Sequence, residues 1–231
     1  MLRFPLVALA LLVAADVSAQ IQLEARAMQR EPIIMVGPAT PLPTITGTTG
    51  DRVVSLVTPR YGIPYRIEIG EKRDDACYML IYNYFPVDIP TSDDDRYLRF
   101  SECGLGGVTR RSRRTVETSG TERGIPHFGA IYAIQLGDNN RRPNRLKMKG
   151  LRIYETTLDA DGEGGVVRRK DLMHEASRTN TRRWHPAAVC PDNQIIVGLD
   201  LHINDTVYSI VGIRPHCATV TVEERFVPLS R

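Results

Sequence analysis

From residue 52 onward, apolar and polar positions exchange every one or two residues, and no long run holds the 3.6-residue period of a helix. Tyr65, Ile67 and Ile69 fall on one side of an extended segment, and Arg66 and Glu68 on the other. Segments 53–58, 77–85, 97–100, 128–136, 146–158, 194–203, 206–213 and 219–227 continue the series. They are dominated by Val, Ile, Tyr and Thr, residues that suit a pleated, half-buried surface. Gly70, Pro86, the glycines of 104–107, residues 137–140 and 161–165, and Asn204-Asp205 supply turn chemistry between them. The pattern predicts an all-β domain, an antiparallel sandwich or a β-prism-like body. Two segments read differently: 20–31 as a short helix, and 171–177 (DLMHEAS) as one or two helical turns.

The first residues break the pattern. Arg3 precedes an apolar run at 6–15, and Val17-Ser18-Ala19 offers a small-x-small cleavage site before Gln20. Residues 1–19 therefore read as a secretory signal peptide, too short to span a bilayer, and no later stretch approaches the roughly 20 apolar residues of a membrane helix. Residues 20–51 read as an extended arm or linker, because the stretch 37–50 holds three prolines in a Thr/Gly-rich context. The all-β domain spans 52–231. Val53–Val57, Ile131–Gln135 and Val207–Val211 share a β-x-small-β pattern, centred on Ser55, Ala133 and Ser209. Either two similar halves (about 52–128 and 129–231) or coincidence among β-rich segments produces that echo.

Export changes the reading of the four cysteines, Cys77, Cys103, Cys190 and Cys217. An even number in an oxidising compartment implies disulfides. Of the three possible pairings, Cys77–Cys103 with Cys190–Cys217 is favoured, because it closes loops of similar length, 26 and 27 residues. Each is worth about 3.5 kcal/mol in the loop-entropy view. No C-x-x-C pair supports zinc, and no cofactor motif is present. The net charge of +3 is too small and too scattered to imply nucleic acid. Only four of the 30 basic residues are Lys, an Arg bias that GC-rich genomes encode and that points to a bacterium. The expected location is then the periplasm or the outside of the cell.

Residues 189–217 carry the most specific signal, C-P-x-x-x-I-x-x-G-L from Cys190 to Leu199, a polar turn, then Gly212-Ile213 and a closing Cys217. Pro191 opens a strand, and Gly198 and Gly212 inside strands point to bulges or close backbone approach. This stretch resembles the Cys-bounded hairpins of secreted β-prism proteins of the vitelline-membrane-outer-layer and jacalin-like lectin type. Segments 130–136 and 149–154 fit a similar strand style, so the resemblance spans 128–222. It implies an extracellular all-β module, commonly glycan-binding, and carries over no individual sugar-binding residue.

Candidate chemistry is sparse. The five histidines form no H-E-x-x-H, and there is no G-x-S-x-G elbow. No metal ligand set and no catalytic residue is assigned. Trp184, the only Trp, stands in Arg182-Arg183-Trp184-His185-Pro186 beside the hairpin. Its ring can stack on a sugar, or simply anchor a sheet edge. Trp184, His185, Asp200, Asn204 and Tyr208 are the candidate ligand contacts. Arg110, Arg111, Arg113 and Arg114 read as a loop that attracts carboxylate, sulfate or phosphate.

These features predict an exported, non-catalytic binding protein for a glycan or an anionic surface polysaccharide. Two rivals stand beside it. One is a structural component that binds an envelope protein, with the arm as tether. The other is a polysaccharide hydrolase using acids such as Asp200 or Glu155, which requires two facing carboxylates about 5–9.5 Å apart.

Overall fold

A computed structural model describes residues 28–57, 62–84, 96–103, 107–109, 112–119, 129–140, 146–160, 166–168 and 172–228. Segment 1–19, read above as a signal peptide, the arginines Arg110 and Arg111, and residues 104–106 and 161–165 of the turns lie outside the described residues.

Sixteen strands run through the described residues. They are β1 (Met28–Val36), β2 (Thr40–Pro41), β3 (Thr46–Gly47), β4 (Arg52–Val57), β5 (Ile63–Lys72), β6 (Asp75–Tyr84), β7 (Tyr97–Ser101) and β8 (Arg113–Glu117). Then follow β9 (Gly129–Asp138), β10 (Met148–Ala160), β11 (Val166–Arg168), β12 (Leu172–Ser177), β13 (Arg183–Trp184), β14 (Ala188–Val189), β15 (Gln194–Asn204) and β16 (Ser209–Pro228). They form three sheets. The first has the order β1-β16-β15-β4, with β2 and β3 also on β16. The second has the order β11-β10-β9-β13, with β12 on β10 and β14 on β9. The third is β7-β6-β5-β8. The pairings of β15 with β16 and β4, of β9 with β10, of β5 with β6 and β8, and of β6 with β7 are antiparallel.

The main body covers Ile34–Val222, and its three sheets face one core. Leu56, Leu199, Leu201 and Ile213 come from the first sheet, Ile134, Leu136, Leu151 and Ile153 from the second, and Ile67, Met79, Ile81 and Phe100 from the third. Three half-apolar sheets around one core make a β-prism-like body. Met28–Ile33 and Glu223–Pro228 are strand segments of a second, smaller unit.

Both disulfides form as the spacing favoured. Cys77–Cys103 ties β6 to the residues after β7, and Glu102 N–H donates to the Cys77 carbonyl at 2.9 Å. Cys190–Cys217 joins the residue after β14 to β16, so it bridges the second sheet to the first. Gly198 and Gly212 sit beside register shifts at Ile196/Gly198 and His202/Ile203. At Gly212 a Cβ would lie 2.1 Å from the Thr48 carbonyl oxygen, so only glycine lets the arm approach β16.

That arm is extended and held along the first sheet. Gly37, Leu42, Thr48 and Asp51 donate backbone bonds of 2.8–2.9 Å to Thr219, Pro215, Val211 and Ile203. Thr46 is fully buried, and its Oγ1 accepts the Leu136 N–H at 2.9 Å.

Three expectations are corrected. Segment 171–177 is not helical: Leu172–Ser177 pairs along β10, with His174 opposite Ile153 and Met173 opposite Tyr154. Seven residues cannot sustain a helix without tertiary support, and a free sheet edge supplies the stronger alternative. Of the helix at 20–31, residues from Met28 onward are strand, as the following Pro32-Ile33-Ile34 favours; 20–27 lie outside the described residues. Segments 206–213 and 219–227 belong to a turn and one continuous strand, Ser209–Pro228.

One buried charge cluster joins the third sheet to the second. Lys149 of β10 is fully buried, and its Nζ donates to the Asp74 carbonyl at 2.5 Å and to Asp74 Oδ1 at 2.6 Å. Arg178 Nε pairs with Glu71 at 2.7 Å. Burial pushes the Glu71 carboxyl above its ordinary value, against the pull of Lys149 and Arg178. Asp74 is half exposed and Glu71 keeps Arg178, so losing the buried Lys149 cation costs less than breaking a fully buried pair, about 1–3 kcal/mol. Lys149→Met is therefore expected to lower the stability measured by urea unfolding by about that amount with both disulfides intact. A loss below about 1 kcal/mol would show that the cluster does not join the sheets.

Candidate functional site

The register of the second sheet sends a polar and aromatic set outward. Leu151 and Ile153 enter the core, so Arg152 and Tyr154 point away from it. Arg152 stands between Gln135 of β9 and Glu175 of β12, and Tyr154 between Ala133 and Met173. A register shift between Tyr154 and Glu155 inserts Tyr132, whose ring lies 6.3 Å from that of Tyr154. These side chains hold one another. Tyr154 OH donates to Gln135 Oε1 at 2.9 Å, Gln135 Nε2 to the His185 carbonyl at 2.6 Å, and Arg152 Nε to Glu175 Oε2 at 2.7 Å.

Trp184 completes this face. It pairs with Gly137 on β9, and its indole rests on two glycines. A Cβ at Gly137 would lie 2.9 Å from Cζ3, and one at Gly150 would lie 2.7 Å from Cη2. The Arg152 guanidinium sits 3.8 Å from the ring centroid, a cation–π contact worth about 0.5–1 kcal/mol near a surface. The half-buried indole is thus clamped between a glycine notch and an arginine.

Asp138 positions the neighbouring residues. It is fully buried, and its Oδ2 accepts from Arg183 NH2 at 2.5 Å and faces His185 Nε2 at 2.5 Å. The Asn140 N–H donates to Oδ1 at 2.6 Å. Burial raises the Asp138 carboxyl, but Arg183, the Asn140 N–H and His185 outweigh it and hold the group below its ordinary value. His185 is therefore committed to a buried carboxylate.

The other predicted residues lie elsewhere. Asp200 is buried on β15 of the first sheet, where Ser55 donates to it, Arg214 NH2 pairs at 2.5 Å and His216 Nε2 lies 2.8 Å away. Burial raises this carboxyl too, and the bonds from Ser55, Arg214 and His216 take it below the ordinary value. Asn204 Oδ1 accepts the Thr206 and Val207 N–H groups at 3.0 and 3.1 Å and so shapes the hairpin turn. Tyr208, 63% exposed at φ +48°, ends that turn. Arg113 and Arg114 are not in a loop: they open β8, where cross-strand pairing to Gly70 and Ile69 outweighs the repulsion of like charges. Arg113 NH1 binds Glu68 at 2.9 Å, and Arg114 NH1 binds the Ser177 carbonyl at 2.9 Å. The candidates thus occupy several places, with Trp184 and His185 together on the second sheet.

Glu155 is buried, receiving Ser119 N–H at 2.8 Å, Ser119 Oγ at 2.9 Å and His174 Nε2 at 2.6 Å. Glu155 and Asp200 belong to different sheets, and every oxygen of both is engaged. Among the described residues no three His, Cys, Asp or Glu side chains are placed to hold a metal ion, and no helix is long and apolar enough to cross a membrane. Gln135, Arg152, Tyr154 and Tyr132 went unnoticed in the sequence. The alternation of Arg152 and Tyr154 around Ile153 was the available signal.

No family model and no curated protein matches the chain. Solved structures similar to it include jacalin-like lectins. Calystegia sepium agglutinin is 11% identical with a TM-score of 0.46, covering 77% of this chain and 97% of that one. Single-chain recombinant jacalin is 10% identical with a TM-score of 0.44, covering 81% and 95%. The V. cholerae biofilm matrix protein Bap1 is 8% identical with a TM-score of 0.42, covering 83% of this chain and 27% of that one.

Burial of His202, beside the Asp200 network, is expected to make stability pH-dependent. This ring is buried, and its Nδ1 accepts the Gly50 N–H at 3.5 Å. Burial and then Arg214 hold its imidazole below the ordinary value of 6.5, against the opposing pull of Asp200. A depressed histidine favours the neutral fold, so its contribution is present above pH 6.5 and is lost as pH falls from there. The melting temperature of the wild type relative to His202→Gln is expected to drop between pH 7.5 and 5. The other histidines are common to both proteins and cancel. A pH-independent difference would contradict this assignment.

Proposed function

We propose that the chain is an exported, non-catalytic carbohydrate-binding protein of the periplasm or cell exterior. The observation that carries this is the outward face of the second sheet, where Tyr132, Tyr154 and Trp184 are interleaved with Arg152, Gln135 and Glu175. Aromatic rings offer sugars an apolar surface, and planar amide, guanidinium and carboxylate groups serve their hydroxyls. The mutual locking of these side chains lowers the entropy lost when a ligand docks. Trp184 acts here by fixing Arg152, and His185 by fixing Gln135 through its carbonyl. Tyr208, with Asn204, is a separate contact at the hairpin tip, while Asp200 holds the strands beneath. Export is supported by the character of residues 1–19 and by two disulfides, which persist in oxidising compartments.

A glycan array probed with the cleaved protein tests this reading. At least one neutral or acidic oligosaccharide is expected to bind, and Tyr154→Ala to weaken binding of the best neutral ligand about tenfold, roughly 1.4 kcal/mol, with an unchanged near-ultraviolet circular dichroism spectrum. An array without binding at low salt, or Tyr154→Ala binding as the wild type does, would overturn it.

A further inference from the structure

The third sheet carries a different surface. Ile67, Ile69, Met79, Ile81, Phe100 and Val116 enter the core. Alternation then turns the intervening residues outward, in three rows across β7, β6, β5 and β8. The first row is Tyr97, Tyr82, Arg66, Glu117; the second is Arg99, Leu80, Glu68, Thr115; the third is Ser101, Tyr78, Gly70, Arg113.

Arginine and tyrosine are interlocked on this grid. The Arg66 guanidinium lies 4.7 Å from the Tyr82 ring centroid, and Arg99 and Arg113 lie 5.7 and 5.1 Å from that of Tyr78. Tyr82 and Tyr97 meet edge to face at 5.2 Å. Arg66, Glu68, Arg113 and Thr115 line an open concavity of about 500 Å³. The Cys77–Cys103 disulfide clusters with Tyr78 and stiffens the third row.

The charges are unevenly satisfied. Arg113 pairs with Glu68, but among the described residues Arg66 and Arg99 have no carboxylate partner. Two guanidiniums are therefore held by tyrosine rings rather than by a close carboxylate, with Glu117 opposite Arg66 across the strands. Strand spacing puts their Cα atoms about 12 Å apart. Duplex DNA presents a phosphate on each strand for every ~3.4 Å of helix axis and calls for a denser basic surface. Sparse anions along a chain with apolar ring faces between them fit this grid.

We infer that the outward face of the third sheet is a second binding site, for a linear acidic polysaccharide. Arg66 and Arg99 pair with its carboxylate or sulfate groups, and Tyr82 and Tyr97 pack on the intervening sugar rings. The site deepens the carbohydrate-binding reading, on which it rests for the kind of polymer but not for the residues.

Affinity electrophoresis in gels containing polygalacturonate, dextran sulfate or neutral dextran tests the site, with oligo(dT) in a parallel titration. Retardation by polygalacturonate, dextran sulfate or both is expected, weakening as salt rises. Retardation by only one of the two identifies the anion. The double variant Arg66→Gln/Arg99→Gln is expected to bind the acidic polymer at least tenfold more weakly. Tyr97→Ala is expected to weaken it less. Both should keep the wild-type melting temperature and the neutral-glycan binding that depends on Tyr154. If polygalacturonate binds while the glycan array stays blank for neutral sugars, the second-sheet reading falls and this site stands. Absence of retardation by either acidic polymer, wild-type affinity in the double variant, or tighter binding of oligo(dT) than of both polymers would overturn the inference.

Discussion

Strand register around a single core is the constraint on which the rest of this molecule depends. Side chains alternate with period two, so a slip of one residue would send every inward residue of a strand to the surface. Ile67 and Ile69 inside fix Arg66 and Glu68 outside, and Leu151 and Ile153 inside fix Arg152 and Tyr154 outside. Both outward grids follow from apolar burial rather than from any local motif. The Cys190–Cys217 disulfide and the Lys149 cluster hold neighbouring sheets so that these registers share one core.

Buried charges do the positioning that strands cannot. Asp138 holds the short segment that carries Trp184, Asp200 holds the middle of the first sheet, and Glu155 holds Ser119 against β10. Each carboxylate would be costly alone, and each is met by two or more donors. The polar groups that sequence reasoning reserves for a ligand are thereby consumed in part by the scaffold. What remains for recognition is the set of long, outward side chains on the sheets.

This division explains how much of the molecule was legible in advance. Strand-rich segments, the all-β class and the disulfide pairing could be read from alternation, turn residues and loop lengths. β12 could not, because DLMHEAS alternates weakly and its identity depends on the edge of β10. β8 hid inside an arginine cluster, since Val116 is its single buried apolar residue. Trp184 stood out by composition, yet its partners Gly137, Gly150 and Arg152 sit 32 to 47 positions away and become visible only through register. Asp200 looked available for a ligand until β4 and β16 brought Ser55, Arg214 and His216 to it. Of the echoed segments, those around Ser55 and Ser209 both lie in the first sheet, flanking β15, rather than in separate sheets.

Recognition mainly by sheet faces, with the hairpin tip as a lesser contact, is the central claim, and side-chain footprinting with hydroxyl radicals tests it most directly. The protein would be oxidised with and without a saturating bound glycan or acidic polysaccharide, and protection read by mass spectrometry. Protection of Tyr132, Tyr154 and Trp184, or of Tyr82 and Tyr97, is predicted, with Tyr208 changed less. Protection confined to Tyr208 and the loops, with those five rings oxidised as in the free protein, would contradict it.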